Sequence, residues 1–170
     1  MKKLLLLPLF IITIYGQGQF SGVTYFDYTY DLTENAVNDA GFALKRVYFT
    51  YEQSLSEDIS CKFQTDIDYK ASPFNVYLKN AKIDWKLPGA SFRKLTLGMQ
   101  GMNIFNVIEK TWGFRFLQKS AMDKYGFSSS ADIGIGYSGK LASNTLNYSF
   151  MYTNGSGYKN TENDKYKKIS

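Results

Sequence analysis

Residues 58–69 read DISCKFQTDIDY, and the character of the side chains alternates at almost every position. Successive side chains of a β-strand point to opposite faces of a sheet, so this stretch has one largely apolar face and one polar face. The polar face includes Lys62 and Asp66, and the apolar face includes Phe63 and Ile67. A period of two over this length predicts a β-strand rather than a helix.

Six further stretches show the same alternation, which brings the predicted strands to seven. They are residues 19–32, 44–55, 75–87, 94–101, 127–141 and 144–154. Two prolines, Pro73 and Pro88, fall between these stretches, where a missing N–H group breaks no ladder. Short connections alternate with longer polar ones, which is typical of an antiparallel sheet with tight turns at one end and loops at the other.

Residues 1–18 are typical of a secretory signal peptide. Two lysines precede an apolar run, residues 4–15, and the small residues of Gly16-Gln17-Gly18 then favour cleavage before Gln19. The apolar run is shorter than the roughly 20 residues that span a bilayer as a helix. We therefore expect an exported protein in which residues 1–18 are removed and residues 19–170 form one domain.

Composition excludes several functional classes. The chain has 170 residues with no histidine and one cysteine, so a Ser-His-Asp relay, a histidine-ligated zinc and an internal disulfide are ruled out. An outer-membrane hydrolase is disfavoured, because no imidazole can activate a serine or a water. Without the two lysines of residues 1–18 the net charge is 18 − 15 = +3, too mild to predict nucleic-acid binding. No cofactor or metal is predicted.

Three features favour a transmembrane β-barrel over a soluble β-sandwich, which shares the alternating pattern. Charged residues lie far inside the polar faces, which suits a hydrated lumen. Several predicted strands exceed the five or six residues usual in soluble sheets and reach the roughly 9–11 of a tilted spanning strand. Aromatic residues form 17% of the chain and begin or end the apolar faces, as in interfacial girdles. These features predict an all-β, antiparallel transmembrane β-barrel, whose girdle residues are Phe20, Tyr28, Tyr30, Tyr69, Tyr77, Trp85, Tyr137 and Tyr152.

Residues 165–170 look like the opening of an eighth strand, but so short a stretch cannot cross the hydrocarbon layer. Bacterial single-chain barrels normally have an even number of strands, and lipid cannot hydrogen-bond an open edge. The pattern predicts that the chain is incomplete at its C-terminus and supplies about 7–8 strands of a larger barrel. A small barrel with a defective last strand is the alternative.

Three segments resemble porins of the phosphate-selective porin O/P type. In residues 115–139 a polar loop with an arginine precedes an Asp-x-Gly strand and a later glycine. Residues 146–158 resemble the following strand with its Asn-Gly-x-Gly loop, and residues 46–48 with 54–58 resemble the early hairpin of the family. The resemblance implies that residues 20–170 correspond to the N-terminal half of a barrel of about 16 strands. It implies a porin but no particular solute, because the charges of the polar faces are mixed.

The longest connection, residues 102–126, holds many apolar residues as well as charged ones. Loops longer than about 12–15 residues are usually functional or disordered, and this many apolar groups predict packing against the inside of the barrel. In porin-like barrels such a loop narrows the channel. The predicted pore constriction consists of Glu109, Lys110, Arg115 and Lys119, and an external cap sealed by its own apolar groups is the alternative.

Charged residues of both signs form the predicted pore wall, which consists of Arg46, Lys62, Lys82, Asp66 and Asp132. The predicted function is a passive porin for small hydrophilic solutes or ions in the outer membrane of a Gram-negative-type bacterium. A small non-conducting outer-membrane barrel with a structural or adhesin role is the alternative. The expected partners are outer-membrane lipid and small hydrophilic solutes, with a homotrimer as an open option for assembly.

Overall fold

The described part of the chain is one antiparallel sheet with a helical insertion. A computed structural model describes residues 18–33, 40–89, 92–141 and 145–170. The strands are β1 Gln19–Tyr30, β2 Ala40–Ser54, β3 Ile59–Asp68, β4 Asn75–Lys86, β5 Lys94–Gly101, β6 Ala131–Leu141, β7 Leu146–Thr153 and β8 Lys168–Ile169. Each strand pairs with the next along the sequence, so that β1 and β8 form the two edges. Helices α1 (Asn103–Trp112) and α2 (Ala121–Lys124) lie between β5 and β6.

This architecture confirms the predicted all-β antiparallel class and the seven predicted strands. Each predicted strand overlaps its observed counterpart, and the largest shift is four residues, at the start of β2 and of β6. The eighth strand consists of two residues paired with β7. The predicted signal peptide, residues 1–18, lies outside the described residues except for Gly18. No helix among the described residues is both long and apolar enough to cross a membrane.

The register of the sheet sorts the side chains into two faces. The side that we call the apolar face contains a row of paired residues from β3 to β7, namely Cys61, Ile83, Leu97, Ile135 and Tyr152. The opposite side, the polar face, contains the adjacent row, namely Lys62, Lys82, Gly98, Gly134 and Thr153. Cross-strand pairing places apolar residues beside apolar residues and polar residues beside polar residues. The alternation along each strand therefore produces one continuous apolar surface and one continuous polar surface.

The polar face is the buried one. Asp66, Asp132 and Thr153 are each 1% exposed, whereas Phe26 and Phe42 on the apolar face are 73% and 83% exposed. A protein dissolved in water normally arranges the two kinds of side chain the other way round. Among the described residues, the buried apolar side chains are Met102, Phe105, Ala131 and Met151.

A β-bulge in β4 changes which residues belong to each face. The pairing of β4 with β3 skips Lys79, and one extra residue moves everything beyond it to the opposite face. Tyr77 accordingly lies on the polar face and donates a hydrogen bond to Asp66 at 2.8 Å. Tyr69 lies in the turn after β3, where its ring centre is 5.9 Å from the ammonium of Lys45. The prediction of Tyr69 and Tyr77 as girdle residues is therefore wrong.

The connections follow the predicted alternation with one exception. Residues 31–39, 102–130 and 154–167 are long connections at the same end of the sheet. The connection at residues 69–74, also at this end, is shorter than the connection at residues 87–93 at the opposite end. Asp68 stabilises this turn with two hydrogen bonds. Its backbone carbonyl accepts the N–H of Ala71, and its carboxylate accepts the N–H of Lys70. The connections at one end of the sheet are therefore longer than those at the other end mainly because of residues 31–39, 102–130 and 154–167.

Candidate functional site on the polar face

Residues 102–130, which we call the inward segment, fold onto the polar face of the sheet. Met102 and Phe105 are buried together with Met151, whose side chain belongs to the polar face of β7, and Met122 packs against them. The N–H of Met102 donates to the carbonyl of Ser130 at 3.1 Å, which closes the base of the segment. The segment thus packs against the sheet, and its role in narrowing a channel stays a prediction.

The inward segment turns back on itself at a glycine. Helix α1 ends at Gly113, whose φ of 68° is a left-handed conformation that glycine adopts without strain, and whose N–H bonds the carbonyl of Glu109 at 3.3 Å. Residues 114–119, which we call the tip, follow. The indole N–H of Trp112 donates to the carbonyl of Gln118 at 3.0 Å and holds the tip against the helix.

An ion-pair cluster stabilises the tip. Arg115 Nη1 lies 2.9 Å from Glu109 Oε2 and 2.6 Å from Asp123 Oδ2. The Ser120 hydroxyl donates to Glu109, and the ammonium of Lys119 lies 3.8 Å from Asp123. Burial raises the pKa of the Asp123 carboxyl, but the positive charges of Arg115 and Lys119 lower it by more, so this pKa lies below its ordinary value. Two of the predicted constriction cations are therefore held by carboxylates.

A second cluster lies in the sheet next to the tip. Arg46 Nη1 donates to Asp66 Oδ2 and to the Tyr48 hydroxyl, each at 2.6 Å. Tyr77 donates to the same carboxylate oxygen of Asp66, whose side chain is fully buried. Arg115 of the tip and Tyr48 of this cluster line the same cavity. The two clusters therefore lie next to each other, one on the tip and one on the polar face of β2.

A cavity of about 380 Å³ separates α1 from the polar face of β2–β4. Lys62 and Lys82 of the predicted pore wall line it from the sheet, and Glu109 and Arg115 of the predicted constriction line it from the inward segment. The ammonium of Lys62 lies 2.8 Å from Glu52. Four of the predicted site residues therefore come together around one space.

Lys79 lines the same cavity, although the sequence did not mark it as a site residue. Its ammonium donates to the Ser130 hydroxyl at 2.7 Å and lies 4.3 Å from the ring centre of Tyr158. The bulge in β4 brings it to the polar face. The signal that could have revealed it is the pair of polar residues, Lys79 and Asn80, in succession within an otherwise alternating strand.

A second cavity, of about 270 Å³, lies between the tip and the first two strands. It is lined by Lys119 of the predicted constriction and by Arg46 of the predicted wall. Asp27 and Lys45, which also line it, form an ion pair at 3.4 Å. The rest of its lining is Tyr25, Tyr69, Arg115, Phe116, Leu117 and Gln118.

The long connection at residues 154–167 also folds over the polar face. The N–H of Gly155 donates to Asp132 Oδ2 at 2.6 Å. The ring of Tyr158 lies 5.6 Å from the ring of Tyr77 on β4. Asp132 therefore anchors this connection.

Two of the five predicted wall residues lie deep in the polar face. Asp66 and Asp132 are buried, accept hydrogen bonds and line neither cavity, and their place in a pore wall stays a prediction. A carboxylate this deep is retained only where donors satisfy it. The three basic wall residues line the cavities. Lys110 of the predicted constriction is exposed on α1 and lines neither cavity.

Comparisons with known proteins give no relative for this chain. No protein-family model matches it, and no curated protein or solved structure matches it. The resemblance to porins of the phosphate-selective porin O/P type therefore stays a hypothesis. The fold is an all-β antiparallel sheet whose polar face is covered by two of its own long connections.

Proposed function

We propose that the protein is a passive outer-membrane channel, in which the sheet closes into a transmembrane β-barrel with its polar face toward an aqueous lumen. The observation that carries this proposal is the inverted distribution of side chains. Charged groups such as Asp66 and Lys79 are buried on one face, while large apolar groups such as Phe42 and Phe150 are exposed on the other. Lipid would be the solvent of the apolar face.

The hydrogen-bonding demands of a membrane require the proposed sheet to close. In the hydrocarbon layer no water can satisfy a free N–H or C=O group, and each unsatisfied group costs several kcal/mol. Strands β1 and β8 are the edges of the sheet, so their outward backbone groups need partners. In the proposed barrel these edges pair with each other or with further strands.

The inward segment narrows the proposed lumen. Its tip carries Arg115 and Lys119, and both cavities of the site lie between this segment and the sheet. Because both cations are paired with carboxylates, we expect only weak selectivity between anions and cations. The signal peptide predicted at residues 1–18 agrees with a place in the cell envelope.

Planar-bilayer recordings of the full-length protein test the proposal. Folded and inserted protein should give discrete, ohmic conductance steps, and heat-unfolded protein from the same preparation should give none. Insertion is verified separately by protection from protease in proteoliposomes. A protein that inserts and folds but never conducts would contradict the channel.

A non-conducting barrel with a structural or adhesin role is the second candidate. The observation that favours it is the tight packing of the inward segment, in which Met102 and Phe105 are buried against Met151. The variant Phe105→Ala separates the two candidates. In a plugged barrel it should create a conductance that the unaltered protein lacks, whereas in a channel the unaltered protein conducts already.

A further inference from the structure

The cavity between the tip and the first two strands has the chemistry of a sugar site. We propose that the cavity of about 270 Å³ between the tip and strands β1 and β2 binds a neutral, hydroxyl-rich solute the size of one sugar ring. This inference rests on the proposed function, because it names the class of solute that the channel would admit. The volume lies just below the roughly 300–1,000 Å³ of sites for drug-sized ligands, which suits a single ring rather than a chain.

Three aromatic rings supply flat apolar surfaces to this cavity. Tyr25 and Tyr69 line it from the sheet, and Phe116 lines it from the tip. Phe116 is 67% exposed, so most of its ring is available for a ligand. The C–H groups of a sugar ring form an apolar, weakly positive face that complements the negative face of an aromatic ring.

Each of the four cations that line the cavity has a carboxylate partner. Lys45 pairs with Asp27 at 3.4 Å, and Arg46 pairs with Asp66 at 2.6 Å. The cluster at the tip pairs its own cations and carboxylates in the same way. Because each of these cations is already paired, the cavity favours a neutral solute over phosphate or another anion. The four cations are Lys45, Arg46, Arg115 and Lys119; of their carboxylate partners, Asp27 lines the cavity and Asp66, Glu109 and Asp123 lie behind its lining.

An acceptor is available for a hydroxyl group of the solute. Asp27 lines the cavity with a side chain that is 43% exposed, and its Oδ2 lies 3.4 Å from the ammonium of Lys45. A carboxylate oxygen has two lone pairs, so Oδ2 can accept a hydroxyl of the solute in addition to this ammonium. Gln118 and Lys119 line the same cavity and carry N–H donors for the other hydroxyls.

Saturation-transfer-difference NMR tests binding without requiring conductance. The sample is the full-length protein folded in detergent, and the probe is D-glucose. We expect transfer to the ring protons and a dissociation constant that Phe116→Ala raises about two- to tenfold, the factor for one lost aromatic contact. Asp27→Asn should also weaken binding. Tyr28→Ala is the matched control, because Tyr28 lies on the same strand as Tyr25 but on the apolar face.

The possible results of these measurements distinguish the sugar site, the choice of a neutral solute and the proposed channel. Absence of transfer to glucose, or transfer that Phe116→Ala and Asp27→Asn leave unchanged, would overturn the site. Displacement of glucose by an equal concentration of sodium phosphate would overturn the assignment to a neutral solute. Glucose binding by an inserted protein that never conducts would contradict the proposed channel but not the site, and conductance without glucose binding would contradict the site alone.

Discussion

The two faces of the sheet are built from the same strands, yet they are stabilised in opposite ways. The polar face holds its charges in pairs, such as Asp66 with Arg46 at 2.6 Å and Asp84 with Lys82 at 2.9 Å. The apolar face instead exposes large side chains such as Phe26, which is 73% exposed. The stability of the polar face therefore depends on partners within the chain, whereas the stability of the apolar face depends on the solvent around it.

The largest expected effect comes from breaking a pair on the polar face. Asp66→Ala leaves the guanidinium of Arg46 and the hydroxyl of Tyr77 without their shared acceptor. We expect the free energy of unfolding to fall by about 3–5 kcal/mol, the usual cost of an uncompensated buried charge. Urea titration in detergent, followed by tryptophan fluorescence, measures it. The control is Asp58→Ala at an exposed turn, which should change the free energy by less than about 0.5 kcal/mol.

A charge introduced on the apolar face should have the next largest effect. Phe150→Arg places a guanidinium on the apolar face of β7, at a cost of about 2–4 kcal/mol if lipid surrounds that face. The neighbouring variant Ser149→Arg places the same group on the polar face, where Ser149 lies open. The yield of folded protein in lipid vesicles compares the two. Equal yields for both variants would remove the distinction between the faces.

Removal of the Arg115 side chain should lower the free energy of unfolding by less than the two changes above and should also change the selectivity between cations and anions. Arg115→Ala leaves Glu109 and Asp123 without their shared cation, and we expect a loss of about 1–2 kcal/mol. The two freed carboxylates should shift the reversal potential in a salt gradient toward cations. Lys119→Ala should shift it less, and Lys110→Ala, whose residue lines neither cavity, least of all. A larger shift for Lys110→Ala would place the constriction elsewhere.

The smallest expected effect is a dependence on acid at the tip. The folded pKa of Asp123 lies below the ordinary value of 3.8, so its ion pairs contribute stability above that value and lose it as the pH falls through the lower folded pKa. We expect a loosening worth less than about 1 kcal/mol, confined to pH below about 4. Conductance noise against pH would detect it. Asp123→Asn should remove the dependence in this window, and an unchanged profile would contradict its assignment to Asp123.

The strands could be predicted from the sequence because one local rule, a period of two, governs them. The faces of β3, β5 and β7 follow that rule without interruption. The rule failed at β4, where the bulge at Lys79 moved Tyr77 to the polar face. A bulge inserts a residue without changing composition, so only the consecutive polar pair Lys79 and Asn80 marks it.

The candidate site could be predicted only in part. Its location was predictable, because a long connection rich in apolar residues must pack against something, and Phe105 does so. The roles of its charged residues were not predictable. A carboxylate such as Asp132 can line a channel or accept a backbone N–H, and how deeply it is buried decides between the two. Depth is set by long-range packing, which one sequence does not display. The helix α1 was also missed, because its apolar residues were interpreted as loop packing.

The two tryptophans of the chain test directly the claim that the two faces of the sheet meet different solvents. Trp85 lies on the apolar face and Trp112 on the inward segment, and they are almost equally exposed, at 41% and 40%. The variants Trp112→Phe and Trp85→Phe leave one tryptophan each, and the folded proteins are placed in vesicles of lipids with brominated acyl chains. We expect the brominated lipid to quench Trp85 strongly and Trp112 weakly, with water-soluble iodide showing the reverse order. Equal quenching of both residues by the two agents, or no quenching of Trp85 by brominated lipid, would contradict the claim.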